Sequence, residues 1–184
     1  MASGRLSAEE IDCLRRLIGE RIVAVCSPVL LVYEKAILAT SPSLRLEEGK
    51  GFVVLEAADI ETSLSKDGLY LFSRPSFAVS HTPAVVPYDS VREIVGPCSF
   101  VKFKNRFVIE RVEIFEGEST VHHGDVKKTE TITHDKQVTF HAEAGDLLSV
   151  TAEGDDLWFF RDMGHPTDSS AGLQRRLLLQ RQTS

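Results

Sequence analysis

The chain has 184 residues, of which 42% are hydrophobic and 26% are charged, and its formal net charge is −6. This length suits a single domain with a substantial core, and the composition is that of an ordinary soluble globular protein. The negative charge is divided equally between the two halves of the chain, which disfavours a nucleic-acid-binding domain. No apolar run approaches the roughly 20 residues of a membrane span, and the N-terminus does not resemble a signal peptide. We therefore expect a cytoplasmic protein that binds neither membranes nor nucleic acid.

Residues 1–19 predict a helix. Ser7 and Glu10 have the S-x-x-E spacing of a capping box, and Leu14 and Ile18 lie one turn apart on the apolar side. The glycine that follows Ile18 suits the position just beyond a helix. This helix carries no feature that suggests chemistry, so we expect it to pack on the rest of the fold.

Residues 20–81 and 98–163 predict two β-units. Both contain short runs rich in β-branched, leucine and aromatic residues, separated by Gly, Pro and Asp turn signals. In the second unit, K-N, H-H-G-D, H-D-K, A-G-D and E-G-D-D are interpreted as hairpin turns. Such closely spaced turns favour antiparallel meanders that form a barrel or a sandwich. The predicted fold class is mainly β, or α+β when the terminal helices are counted.

Two further segments connect or follow these units. Residues 82–97, at the end of a proline-rich stretch, predict a crossover with a short helix. Residues 164–184 predict a C-terminal helix and a tail, in which three consecutive leucines cover more than one helical face. This helix would either dock on the β-core or join two copies of the chain as a homodimer.

Two stretches of the chain resemble each other. Glu56–Phe72 and Glu143–Phe160 share acidic and small residues at their start and aromatic residues at their end. The resemblance predicts an internal duplication, although β-hairpins in general have similar turns. In a duplicated fold, Tyr70–Phe72 and Trp158–Phe160 would form matching walls of the core. We expect any ligand to bind at the seam between the two units.

A basic stripe is the first candidate site. Lys102, Lys104 and Arg106 alternate along one face of a predicted strand, with apolar residues on the other face. The simplest interpretation is the solvent face of a half-buried or edge strand. As a binding site, the stripe would suit an acidic partner protein or a small anionic ligand.

A group of histidines is the second candidate. His122, His123 and Asp125 lie in one predicted turn, and His141 lies further along. Imidazole and carboxylate groups are common ligands of transition metals. Adjacent histidines on a strand, however, point to opposite faces, so His122 and His123 do not readily share one metal.

The predicted hairpin registers separate these histidines further. They place His122 opposite Asp125, His134 opposite Glu113, and His141 near Glu130. Each histidine then has its own carboxylate neighbour, which favours cross-strand pairs over a metal cluster.

Other sequence signals of chemistry are missing. The chain contains no nucleophile elbow, dinucleotide-binding loop or P-loop, and its three cysteines have no C-x-x-C spacing. We expect no cofactor. The sequence favours a small binding or protein-interaction module without catalytic activity. The alternative is a metal-binding β-barrel enzyme that uses His122, His123, Asp125 and His141.

Overall fold

The computed structural model describes residues 4–34, 36–47, 49–60, 72–81, 99–123, 128–153, 156–161 and 172–181. These parts contain one helix and eleven strands. In chain order they are α1 (Ala8–Arg16), β1 (Arg21–Ser27), β2 (Val29–Val32), β3 (Ala36–Thr40), β4 (Ser43–Leu46), β5 (Phe52–Ile60), β6 (Phe72–Ser80), β7 (Ser99–His123), β8 (Lys128–Ala142), β9 (Leu147–Glu153), β10 (Asp156–Arg161) and β11 (Gln174–Gln180). No helix in these ranges has the length and apolar character of a membrane span.

All the strands belong to one antiparallel sheet. Its order is β2-β3-β10-β9-β8-β7-β1-β4-β5-β6, and β11 pairs with β7 beside this path. The prediction of a mainly β, antiparallel fold is confirmed. Within the described ranges the path ends at β2 and β6 without closing, so the predicted barrel is not confirmed. β6 nevertheless packs against β8 and β9, which means that the sheet folds back over itself.

The core lies between the part of the sheet that contains β6 and the part that contains β8 and β9. One face of β8, β9 and β10 is apolar and buried; its residues are Val138, Phe140, Leu148, Val150, Leu157 and Phe159. Phe77 of β6 meets Phe140 edge-to-face, with ring centroids 6.2 Å apart. Burying so many large side chains on one face is the main stabilisation of the fold.

The N-terminal helix is present as α1, with the predicted capping box. The Ser7 hydroxyl accepts a hydrogen bond from the Glu10 backbone N–H at 3.2 Å, and Glu10 Oε2 accepts one from the Ser7 N–H at 2.7 Å. The same carboxylate forms a buried ion pair with Arg74 of β6, at 2.8 and 3.1 Å. Burial acts to raise the pKa of Glu10, but the hydrogen bonds from Arg74 and Ser7 bring it below its usual value.

The predicted C-terminal helix is wrong. Gln174–Gln180 form strand β11, which pairs with residues 111–116 of β7. The edge of β7 beyond β1 has backbone groups that need partners, and this demand outweighs the helical propensity of three leucines. A homodimer joined by a C-terminal helix therefore loses its structural basis.

Two predicted turns are bulges within long, continuous strands. At K-N, the pairing of β1 with β7 shifts between Ile22 and Ala24. At H-D-K, Phe115 pairs with Gln137 and the next residue of β7 pairs with Asp135, so that Lys136 is left over. A bulge accommodates an extra residue without reversing the chain. The A-G-D segment does turn, between β8 and β9, with Gly145 at φ +88°.

The duplication is not confirmed. Glu56 and Asp59 lie inside β5 and pair with β6, whereas Glu143 and Gly145 lie in the turn between β8 and β9. Strands from the two predicted units also alternate in the sheet, since β3 pairs with β10 and β1 pairs with β7. Where both stretches are described, their resemblance therefore does not extend to their local structure.

The proline-rich segment is described only at its beginning. Phe72–Ser80 form β6 at the end of the sheet, where the missing N–H of Pro75 is tolerated. Residues 82–97, with the predicted crossover and short helix, lie outside the described ranges.

Candidate functional site

The basic stripe lies on β7 where this strand pairs with β1. Lys102 and Arg106 are exposed, and the Lys102 ammonium lies 5.4 Å from the ring centroid of Phe100, itself 59% exposed. The Lys104 side chain is not among those the structure describes. The stripe therefore remains a prediction, and the structure adds an exposed aromatic ring beside it.

The histidines lie at opposite ends of the β7–β8 hairpin. His122 pairs with Thr129 and His123 with Lys128, whereas His141 pairs with Arg111. Thr129 and His141 are roughly 40 Å apart along β8 at the usual rise of a strand. Asp125 and the side chains of His122 and His123 lie outside the described part of the chain. Among the described residues, no group of three or more His, Cys, Asp or Glu could hold a metal.

His141 has a cross-strand carboxylate partner, although not the predicted one. Its Nε2 lies 2.7 Å from Glu113, and Arg111 donates to its Nδ1 at 3.0 Å. Glu113 also accepts a hydrogen bond from Arg175 of β11 at 2.8 Å. Burial acts to raise the pKa of Glu113, but these hydrogen bonds hold it below its usual value. The predicted pairing with Glu130 is wrong because H-D-K is a bulge and not a turn, so that Glu130 and His141 lie on the same strand, β8.

A cavity of about 570 Å³ lies on the face of β8, β9 and β10 that is opposite to the apolar core. Gln137, Thr151 and Trp158 line it and are paired with one another across β8, β9 and β10. Paired residues on adjacent strands point to the same face, so these three side chains form one row. Thr139, Ser149 and Phe160 form the next row of that face. Strand alternation thus places an apolar core on one face and a polar and aromatic wall on the other.

The aromatic part of this wall centres on Trp158, the one tryptophan of the chain. Its ring stacks with those of Tyr33, at 5.7 Å, and Phe160, at 6.3 Å between centroids. Phe72, at the start of β6, also lines the cavity, so residues of both aromatic segments meet there. Such rings offer flat apolar surfaces against which a planar molecule can stack.

The polar part of the wall is a buried network around Gln137. The Gln137 Nε2 atom donates to Thr139 at 2.9 Å and to Ser149 at 3.4 Å, and these two hydroxyls lie 2.9 Å apart. Gln137 and Ser149 are fully buried, yet Gln137 Oε1 has no hydrogen-bond partner among the described residues. Turning the amide over exchanges its two atoms but still leaves one without a partner. A buried polar atom in this state costs about 1–3 kcal/mol.

Ser119 and His134 lie on the same cavity, with Ser119 Oγ 2.9 Å from His134 Nε2. Burial and the nearby Lys136 charge lower the pKa of His134 to about 4, so its ring is neutral at pH 7 and a weak base. A catalytic triad would need a carboxylate that orients this histidine. The adjacent Asp135 instead accepts two hydrogen bonds from Arg176, both at 2.7 Å. Within the part of the chain that the structure describes, the pair therefore lacks the carboxylate that would help to activate the serine.

Asp135 fixes the local backbone of the site. Its carboxylate is fully buried, accepts a further hydrogen bond from the Leu6 N–H at 2.7 Å, and holds Arg176 at a second bulge, in β11. The two bulges flank Phe115 on opposite edges of β7. Because β8, β11 and the N-terminal segment meet at one carboxylate, the bulge in β8 is held rigidly.

Lys136 is the residue that this bulge leaves unpaired. It is half-buried and lines both the large cavity and a neighbouring one of about 310 Å³. Its ammonium donates to the Glu118 carbonyl at 2.7 Å. Burial lowers the pKa of Lys136 because it disfavours the charged form.

The sequence contains these residues in the segment H-D-K-Q, which predicts a turn and not a site. A fully buried Gln and a bulge lysine have no local signature, because burial is set by strands distant in sequence. The alternation of polar and apolar residues in Q-V-T-F was the one available signal.

A scan against protein-family models matches no family, and searches of curated proteins and of solved structures find no match.

Proposed function

We propose that the protein is a cytoplasmic binding module without catalytic activity, whose ligand is a small molecule with a planar apolar body and a hydrogen-bonding group. The observation that carries this proposal is the Gln137 amide, which is buried on the cavity wall with one polar atom lacking a described partner. This atom is closed to solvent in the free protein, so a ligand reaches it only when the amide turns toward the cavity, and the new hydrogen bond then removes a cost that the free protein bears. The neighbouring rings of Trp158 and Phe160 would cover the apolar body of the same ligand.

The character of Ser119 and His134 supports a non-catalytic role. A histidine whose pKa lies at about 4 takes a proton poorly at neutral pH. The carboxylate that could orient it is engaged by Arg176. These two residues are better suited to hydrogen-bonding a ligand than to transferring protons.

The alternative enzyme has less support. It would bring His141 together with His122, His123 and Asp125, but His141 is engaged by Glu113 and Arg111 at the far end of β8.

The proposal can be tested with the neutral dye N-phenylnaphthylamine, whose emission rises on transfer to an apolar site. We expect saturable binding at one site, with quenching of the fluorescence of Trp158. Phe160→Ala should weaken dye binding by at least about tenfold, since it removes one aromatic wall of the cavity. Phe100→Ala is the matched control, because it removes an exposed ring from β7, away from the cavity. Absence of saturable binding, or equal losses in both variants, would refute the proposal.

A further inference from the structure

We infer that the ligand of the large cavity is an aromatic carboxylate and that Lys136 binds its anionic group. This inference rests on the proposed function, because it concerns the same cavity. It differs from the sequence-based expectation of an anion at Lys102, Lys104 and Arg106, since it moves the cationic contact from an exposed strand face to a half-buried position.

The Lys136 ammonium has hydrogen-bond donors left over. It donates one hydrogen bond, to the Glu118 carbonyl, and an ammonium has three donors. Within the described ranges no carboxylate forms an ion pair with it; Glu153, which lines the same cavity, does not. Most other cations near this part of the fold are paired: Arg176 with Asp135, and Arg175 with Glu113. The hydrogen bond to Glu118 is exposed to solvent, and a partly buried ammonium with donors left over attracts an anion that enters the cavity.

The bulge in β8 sets the position of Lys136. Lys136 lies two residues after His134 and directly before Gln137, and all three residues line the cavity. The bulge in β8 takes Lys136 out of the strand pairing, and the buried Asp135 holds that bulge in place. Bulges beside a site commonly redirect a side chain in this way. The lysine is thus fixed at the junction of the cavity with its smaller neighbour.

The combination of groups defines the class of ligand. Trp158 and Phe160 provide aromatic surface, Gln137 provides an amide, and Lys136 provides a positive charge. A molecule that meets all of them has an aromatic ring system with an attached carboxylate. A neutral ligand of the same shape would satisfy the aromatic wall and leave the ammonium without its counter-charge.

The test compares a biphenyl carboxylate with the corresponding biphenyl carboxamide, which has nearly the same shape and no charge. Binding is measured by titration calorimetry, and quenching of Trp158 fluorescence reports the site. We expect the carboxylate to bind at least about tenfold more tightly than the carboxamide. Lys136→Met should abolish this preference while it leaves carboxamide binding in place, and Lys136→Arg should retain it. Lys102→Met, which removes an exposed lysine, is the control and should not change the preference.

The outcomes separate the two proposals. Equal affinities of the native protein for the two compounds would overturn the role of Lys136 and leave the binding module standing. Binding of neither compound, together with no binding of the neutral dye, would overturn both. Retention of the preference in a folded Lys136→Met variant would also overturn the inference.

Discussion

Gln137→Met separates a binding role of the buried amide from a structural one. Methionine is also unbranched and fills a similar space, but it has no polar group that needs a partner. If the Gln137 amide serves a ligand, its removal should not greatly destabilise the ligand-free protein. The substitution should lower the affinity for the ligand without greatly lowering the stability of the ligand-free protein.

The magnitude follows from the contacts of the amide. The variant loses two hydrogen bonds, to Thr139 at 2.9 Å and to Ser149 at 3.4 Å. At about 0.5–1.5 kcal/mol each, with the longer one at the low end, they contribute about 1–2 kcal/mol. Removing the unpartnered Oε1 atom also removes the cost of burying it, which stabilises the variant by about 1–3 kcal/mol. The two hydroxyls still bond each other, so the free energy of unfolding should change by between a fall of about 1 and a rise of about 2 kcal/mol.

Urea unfolding followed by far-ultraviolet circular dichroism measures this difference. The slope of the unfolding free energy against urea should be the same in both proteins, because the surface exposed on unfolding is the same. Leu148→Ala, on the apolar face of β9, is the control and should cost about 2–5 kcal/mol. A loss of more than about 2 kcal/mol in Gln137→Met would show that the amide is structural and would refute the reasoning.

Two further predictions concern the ionisable groups around the site. Arg176→Met should destabilise the protein by about 3–5 kcal/mol, because it leaves the charge of the fully buried Asp135 without its ion-pair partner. Arg175→Met removes the exposed pair with Glu113 and should cost less than about 1 kcal/mol. Equal losses of the two variants in urea unfolding would contradict this prediction. The folded protein holds His134 neutral down to about pH 4, whereas the unfolded chain binds its proton below about pH 6.5, so this residue removes up to about 3 kcal/mol of stability as the pH falls through that window. His134→Gln should flatten the acid side of the stability curve, and an unchanged curve would count against this prediction.

The N-terminal helix was predictable because its determinants are local. Ser7 and Glu10 are one turn apart, so the capping box needs no other part of the chain to form. The turn at Gly145 is predictable for the same reason, because only a residue that tolerates positive φ suits it. The polar–apolar alternation of β8 likewise indicates a strand with two different faces.

The C-terminal strand and the bulges were not predictable in this way. The residues Gln174–Gln180 have a composition that suits a helix, and only the free edge of β7 makes them a strand. At H-D-K, the same polar residues suit a turn or a bulge. The choice depends on whether the chain continues along β7, which local sequence does not encode.

The mainly β character of this protein and the capped helix at its start can be read from the sequence, because these features depend on residues close together in the chain. Which face of β8, β9 and β10 is core and which is cavity depends on how the sheet folds back over itself in the tertiary structure. The tertiary structure brought Lys136, Gln137 and Trp158 to one wall of the cavity, and it buried Gln137 fully and the other two in part with elements far away in sequence. The folded structure leaves the Gln137 Oε1 atom without a described partner and the Lys136 ammonium with spare donors, so the candidate site became visible only in the folded protein.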